Sequence, residues 1–122
     1  PSLTIETDSR TECLDITDRV AATLPDDASG VCTIFSQHTT MGVVVNEAES
    51  RLLDDLGAAL DDLVADDGWQ HDQIDDNADT TFGGESVTVP VADGELQLGR
   101  WQSILAVECD GPRSRTLTIR VH

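Results

Sequence analysis

The sequence predicts an α+β fold: largely antiparallel sheets, sandwich- or barrel-like, with one long and one short helix packed on them. Three observations lead there. β-branched and alternating runs recur along the chain, one long segment carries apolar residues at helical spacing, and turn signals separate consecutive strands near the C-terminus. Its 122 residues match one domain in size. No repeat, low-complexity tract or linker divides them, so residues 1–122 are read as a single domain.

Residues 2–7 alternate polar side chains with Leu3 and Ile5 and read as a strand. Residues 15–24 hold a short helix, capped by Thr17 and stopped before Pro25. Gly30 releases a β-rich strand over 31–36, and the run 40–45 is a second one, rich in branched side chains. Asn46 and Glu49 have the spacing of a capping box. After them Leu52, Leu53, Leu56, Leu60, Leu63 and Val64 form an apolar stripe, read as core. Asp54, Asp55, Asp61, Asp62, Asp66 and Asp67 fill the opposite, solvated face, and Gly68 ends the helix. Residues 69–84 are polar. Strands follow over 86–91, 96–98, 102–109 and 115–121, with turns at Asp93-Gly94 and Asp110-Gly111-Pro112.

The charge is extreme. Seven basic residues, all arginine, face 24 acids, for a net −17. Such a chain lacks the cationic face that nucleic acid requires, and it lacks a polybasic patch for anionic lipid. No apolar stretch approaches the roughly 20 residues of a bilayer span. No signal-peptide pattern opens the sequence, which makes the cytoplasm the expected compartment. Dense carboxylates without lysine read as adaptation to high salt, where screening removes self-repulsion. The charge is also uneven. Residues 52–99 carry thirteen acids and no base, whereas residues 100–122 carry four arginines against Glu108 and Asp110. That C-terminal stretch is a basic island and the place to look for a bound anion.

Cys13, Cys32 and Cys109 form no C-x-x-C pair and are odd in number, so a disulfide scaffold or thiolate metal site is not expected. Cys32 and Cys109 sit in apolar runs and read as small buried residues. No phosphate-binding loop, dinucleotide fingerprint or nucleophile elbow is present. What stands out is polar residues among apolar ones. His38 follows a buried-looking strand, and Glu108 ends the run Ile104-Leu105-Ala106-Val107, where a charge is costly unless partnered. His71 lies in the acidic loop. Two histidines and a carboxylate are ligand types that suit zinc or a similar cation, while a lone strand-end histidine is commonly structural.

Several motifs carry a resemblance to a known family. Ser86-Val87-Thr88-Val89-Pro90, Gly94 and then Leu96-Gln97-Leu98-Gly99-Arg100-Trp101-Gln102 resemble the signature of the YjbQ-like proteins, often called secondary thiamine-phosphate synthase enzymes. His38-Thr39-Thr40-Met41-Gly42, Asn46-Glu47, Glu108 and Asp110-Gly111-Pro112-Arg113-Ser114-Arg115 match further family segments. The resemblance spans nearly the whole chain. It implies a compact α+β fold assembling as a homotrimer, with a polar pocket near the subunit contact built around metal-suited histidines. It further implies thiamine-phosphate synthase chemistry, possessed as a secondary activity: joining a pyrimidine diphosphate to a thiazole phosphate with release of pyrophosphate. The chain departs from the family where Thr80-Thr81-Phe82-Gly83 replaces a segment holding a third histidine and a lysine.

On that basis the expected site has His38 and Glu108 as catalytic groups and Arg113, Arg115 and Thr39 as phosphate contacts. His38, His71 and Asp79 would hold a divalent cation, zinc or magnesium, with Asp76 or Glu108 as alternatives to Asp79. The expected partner is a phosphorylated small molecule, with no nucleic acid and no membrane. The enzyme reading competes with a non-catalytic metabolite- or metal-binding trimer, which the absent third histidine favours. A structural role in a larger assembly has no feature for or against it.

Overall fold

The computed structural model describes residues 1–63 and 84–122. In chain order the elements are β1 (Ser2–Glu6), β2 (Glu12–Asp15), α1 (Thr17–Ala21), β3 (Gly30–Ser36), β4 (Met41–Asn46), α2 (Ser50–Leu63), β5 (Ser86–Ala92), β6 (Glu95–Leu96), β7 (Ser103–Glu108) and β8 (Ser114–Val121). They form a five-stranded sheet in the order β1-β8-β3-β5-β6 and a three-stranded sheet β2-β7-β4. Every pairing in them is antiparallel. This is the α+β, sheet-dominated architecture that the strand and turn pattern predicts.

The two-residue period of a strand decides what lies inside. In the larger sheet it turns Leu3, Ile5, Cys32, Ile34, Val89, Val91, Leu117 and Ile119 inward, and all are buried. Met41, Val43, Ile104 and Ala106 meet them from the smaller sheet, with Ile16 and Val20 closing one side. Each such branched side chain stabilises the fold by about 1.5–3 kcal/mol on burial. On the other face of the smaller sheet Leu105 and Cys13 are also buried, and α2 packs against β2.

Carried to the strand ends, the same period explains the buried polar residues. Thr7 follows Ile5 at the next inner position. Ser36 follows Ile34, Glu108 follows Ala106, and Arg115 precedes Leu117. The apolar core between the sheets is therefore closed at one end by a polar layer.

Local details depart from the sequence-based expectations. β2 is a strand that the pattern missed. Thr17 does not cap α1: no side chain does, and Ile16 stands at the cap position. The Thr17 hydroxyl instead donates to Asp15 Oδ1 at 2.6 Å and accepts the Ile104 N–H at 2.8 Å, tying the helix to β7. At α2 the Glu49 carboxylate accepts the Leu52 N–H at 3.0 Å. Asn46 ends β4, and its Oδ1 takes the Glu47 N–H at 2.8 Å. Leu52, Leu53, Leu56 and Leu60 are half-buried rather than core. The expected helix end at Gly68 lies outside the described residues. Asp93 and Gly94, at φ 52° and 78°, have the two left-handed residues of a type I′ hairpin. Among the described residues no helix is long and apolar enough to cross a membrane.

Candidate functional site

The polar layer is a tightly bonded network. Glu108 is fully buried and the Arg115 side chain is 5% exposed. Arg115 Nη2 donates to Glu108 Oε2 at 2.6 Å, and Nε lies 3.0 and 3.1 Å from the two carboxylate oxygens. This is a fork-like arginine–carboxylate contact, the geometry in which such pairs are strongest. Thr7 donates its hydroxyl to Glu108 Oε1 at 2.7 Å, and the Cys109 N–H reaches Oε2 at 3.2 Å. Gly111 packs beside these groups. A methyl there would press on Ser9 O, Thr7 Oγ1 and Glu108 Cγ, so the glycine keeps room for the network. Arg115 Nη2 also donates to Thr40 Oγ1 at 2.6 Å. Among the described residues Nη1 makes no hydrogen bond.

Outside this layer lies an open cleft of about 340 Å³, walled by Gln37, His38, Thr39 and Thr40 on one side and Asp110, Arg113 and Arg115 on the other. The Cys109 N–H, donating to Thr40 O at 2.9 Å, joins the two walls. Arg113 is braced by its own turn: Nε donates to Asp110 O and Nη2 to Asp110 Oδ2, both at 2.8 Å. Its guanidinium is half-exposed.

His38 owes its place to the end of β3. The β3–β8 ladder stops at Ser36 opposite Leu117, which leaves the Thr116 N–H without a strand partner on that side. The chain bends, with the His38 N–H donating to Ser36 Oγ at 3.2 Å. The Thr116 N–H then donates to His38 Nε2 at 3.1 Å. A ring nitrogen that accepts an N–H is unprotonated, so in the neutral imidazole the proton sits on Nδ1.

The structure thus brings His38, Thr39, Arg113 and Arg115 to one cleft, with Glu108 directly beneath. His71, Asp76 and Asp79 lie outside the described residues. Asp110, Thr40 and Thr7 were not singled out in the sequence. Their roles depend on the turn after β7 folding against the loop after β3, and no spacing rule reports that. The cysteines are buried, and burial pushes the Cys13 and Cys32 thiols up, away from the reactive thiolate form.

Among the described residues no three His, Cys, Asp or Glu side chains gather to hold a metal. As placed, His38 offers no free lone pair on either nitrogen, Glu108 spends both oxygens on internal donors, and two guanidinium groups line the same cleft. These residues do not fit a cation. A second groove, near Asp15, Glu47, Glu49 and Trp101, is carboxylate-rich, and Arg100 stacks on the indole there at 4.9 Å.

A small two-sheet α+β domain with an arginine-lined cleft at the polar end of its core is the class defined by these features. The chain belongs to the UPF0047, YjbQ-like protein family, whose sequence profile matches residues 1–122. A UPF0047 protein of Archaeoglobus fulgidus is 42% identical, the match covering 97% of each chain. One from Methanothermobacter thermautotrophicus is 40% identical over 98% of this chain and 88% of its own. The crystal structure of a hypothetical protein from Aeropyrum pernix superposes with a TM-score of 0.93 at 39% identity, covering 100% of this chain and 96% of that one. A YjbQ/UPF0047 protein from Clostridium acetobutylicum superposes at 0.90 with 27% identity, over 100% and 99% of the two chains.

Proposed function

We propose that the cleft binds a phosphorylated small molecule and that the chain is a transferase of the thiamine-phosphate synthase type. The observation that carries this is Arg115. Its guanidinium is buried and held by Glu108, yet among the described residues its Nη1 makes no hydrogen bond, and the residue lines a cleft that Arg113 also lines. In a chain of net −17 the cleft is locally balanced, Arg113 and Arg115 being matched by Asp110 and Glu108, and arginine forks suit phosphate oxygens. In the reaction the thiazole nitrogen attacks the methylene carbon of the pyrimidine diphosphate. The carbon–oxygen bond breaks, and pyrophosphate leaves with the electron pair. Arg113 and Arg115 stabilise the charge that grows on the leaving group, and the Thr39 hydroxyl supplies a further donor.

The chain acts as a homotrimer in this reading. Support comes from the outer face of the five-stranded sheet, where Phe35 is 40% exposed and β3, β5 and β8 contain no acidic residue. Copies of an acidic chain approach each other there with least repulsion. A cytoplasmic, high-salt setting fits the charge.

Incubation with the pyrimidine diphosphate and the thiazole phosphate, followed by chromatography, tests the transferase: thiamine phosphate and pyrophosphate should appear in equal amounts. Saturable phosphate binding with no product would instead leave a metabolite-binding protein. The saturation of Glu108 favours that second reading, because the residue has no lone pair free to accept a proton.

A further inference from the structure

His38 and Arg115 are two residues of the cleft whose side chains are held by bonds from backbone or buried groups. The Thr116 N–H occupies His38 Nε2 and leaves Nδ1–H as the ring's remaining polar atom. Glu108 and Thr40 occupy Nε and Nη2 of Arg115 and leave Nη1. In both cases a backbone or buried partner takes up one side of the group, and a hydrogen-bond donor is left over. Both side chains line the same cleft. A cation placed there would meet a protonated nitrogen and two guanidinium groups, and the carboxylate on the wall, Asp110, is already paired with Arg113. An oxyanion would meet donors already held in place, with little ordering cost on binding.

We propose that the cleft takes a phosphate group directly on His38 Nδ1–H and Arg115 Nη1 with no metal ion between, so that His38 is a ligand-binding donor set by Thr116 rather than a metal ligand. The proposal rests on the phosphate reading above and specifies how the anion is held. Glu108 is then a positioning residue that acts through Arg115.

The test uses the intact chain and inorganic phosphate as probe, followed by titration calorimetry. One sample is stripped with chelator. Another is loaded with Zn²⁺ and then freed of excess metal. Equal affinity in the two, within about threefold (under 1 kcal/mol), is the expected result. Binding by the loaded sample alone overturns the metal-free site while leaving the phosphate reading intact, and binding by neither overturns both. His38→Gln keeps an acceptor for the Thr116 N–H and a donor for the ligand, whereas His38→Ala keeps neither. The glutamine variant should bind phosphate within about fivefold of the parent, and the alanine variant at least about tenfold more weakly, as expected for loss of a hydrogen bond to a charged group. Equal loss in both variants, each still melting cooperatively, would sink the proposal. Nitrogen-15 spectra of the histidine rings give a readout independent of affinity. His38 should show the Nδ1–H tautomer, unmoved by Zn²⁺, and a zinc-induced shift at either ring nitrogen contradicts the assignment.

Discussion

Removing Glu108 should cost far more than removing any carboxylate at the surface, and the structure says why. Glu108→Ala leaves an arginine whose side chain is 5% exposed without its counter-charge, and it strips an acceptor from the Thr7 hydroxyl and the Cys109 N–H. Removing one partner of a buried, hydrogen-bonded ion pair costs about 3–5 kcal/mol. Arg115→Ala should cost a similar amount, because it leaves the carboxylate unpaired. The double variant carries no stranded charge, so its cost should be close to that of either single change. A coupling energy of about 3 kcal/mol then follows, at the upper end for residues in contact. Urea unfolding followed by circular dichroism in about 2 M KCl measures all four corners of the cycle. Repeating it at about 0.5 M KCl asks whether salt weakens the coupling, since an exposed pair would be screened and a buried one much less so. Additive costs, or a coupling that vanishes with salt, would refute the view that this pair is the buried tie between the two sheets.

Stability itself should rise with salt. Between about 0.1 and 1 M the screening length falls from roughly 10 to 3 Å, and a chain of net −17 should melt at clearly higher temperature in the stronger solution; a flat or falling melting temperature would contradict the salt-adapted reading. Phe35→Glu puts a carboxylate on the outer sheet face, where β3, β5 and β8 carry no acid, and should shift sedimentation from oligomer to monomer while leaving the circular dichroism spectrum unchanged. An unchanged sedimentation profile would remove that face from consideration. At the start of α2, hydrogen bonds from Arg51 and then from the Leu52 N–H hold the Glu49 carboxyl below its ordinary value. A depressed acid supports the fold above the unfolded carboxylate pKa, about 4.3, and the support is lost as pH falls through the lower folded value. Parent and Glu49→Gln should therefore differ in helix content near neutrality and converge in strong acid. A difference that persists in acid would show that the carboxylate charge is not the cause.

The larger sheet was readable because its strands alternate cleanly and its hairpin has the Asp-Gly turn that left-handed φ values require. β2 was not. Only Cys13 and Leu14 separate acids at its two ends, and what makes it a strand is its pairing with β7. The helix caps failed for a related reason. Thr17 and Asn46 are good capping residues in isolation, but the Thr17 hydroxyl is claimed by Ile104 and Asn46 belongs to β4. At the site, the cost of a charge at Glu108 was visible in the sequence, and its partner was not. Arg115 reads as one of a group of arginines free for a ligand until β7 and β8 are seen to lie in different sheets with inner faces opposed. His38 reads as a metal ligand or a structural residue, and the choice depends on a backbone N–H at Thr116, 78 residues further on.

The central claim is that a phosphate group sits in the cleft between the 37–40 loop and the 110–115 turn. A crystal structure of the chain grown with pyrophosphate and chelator tests it most directly. Density for the anion within about 3 Å of Arg115 Nη1 and His38 Nδ1, a normal hydrogen-bond distance, is what the cleft predicts. Pyrophosphate bound elsewhere, or an empty cleft at a concentration that saturates binding in solution, would contradict it.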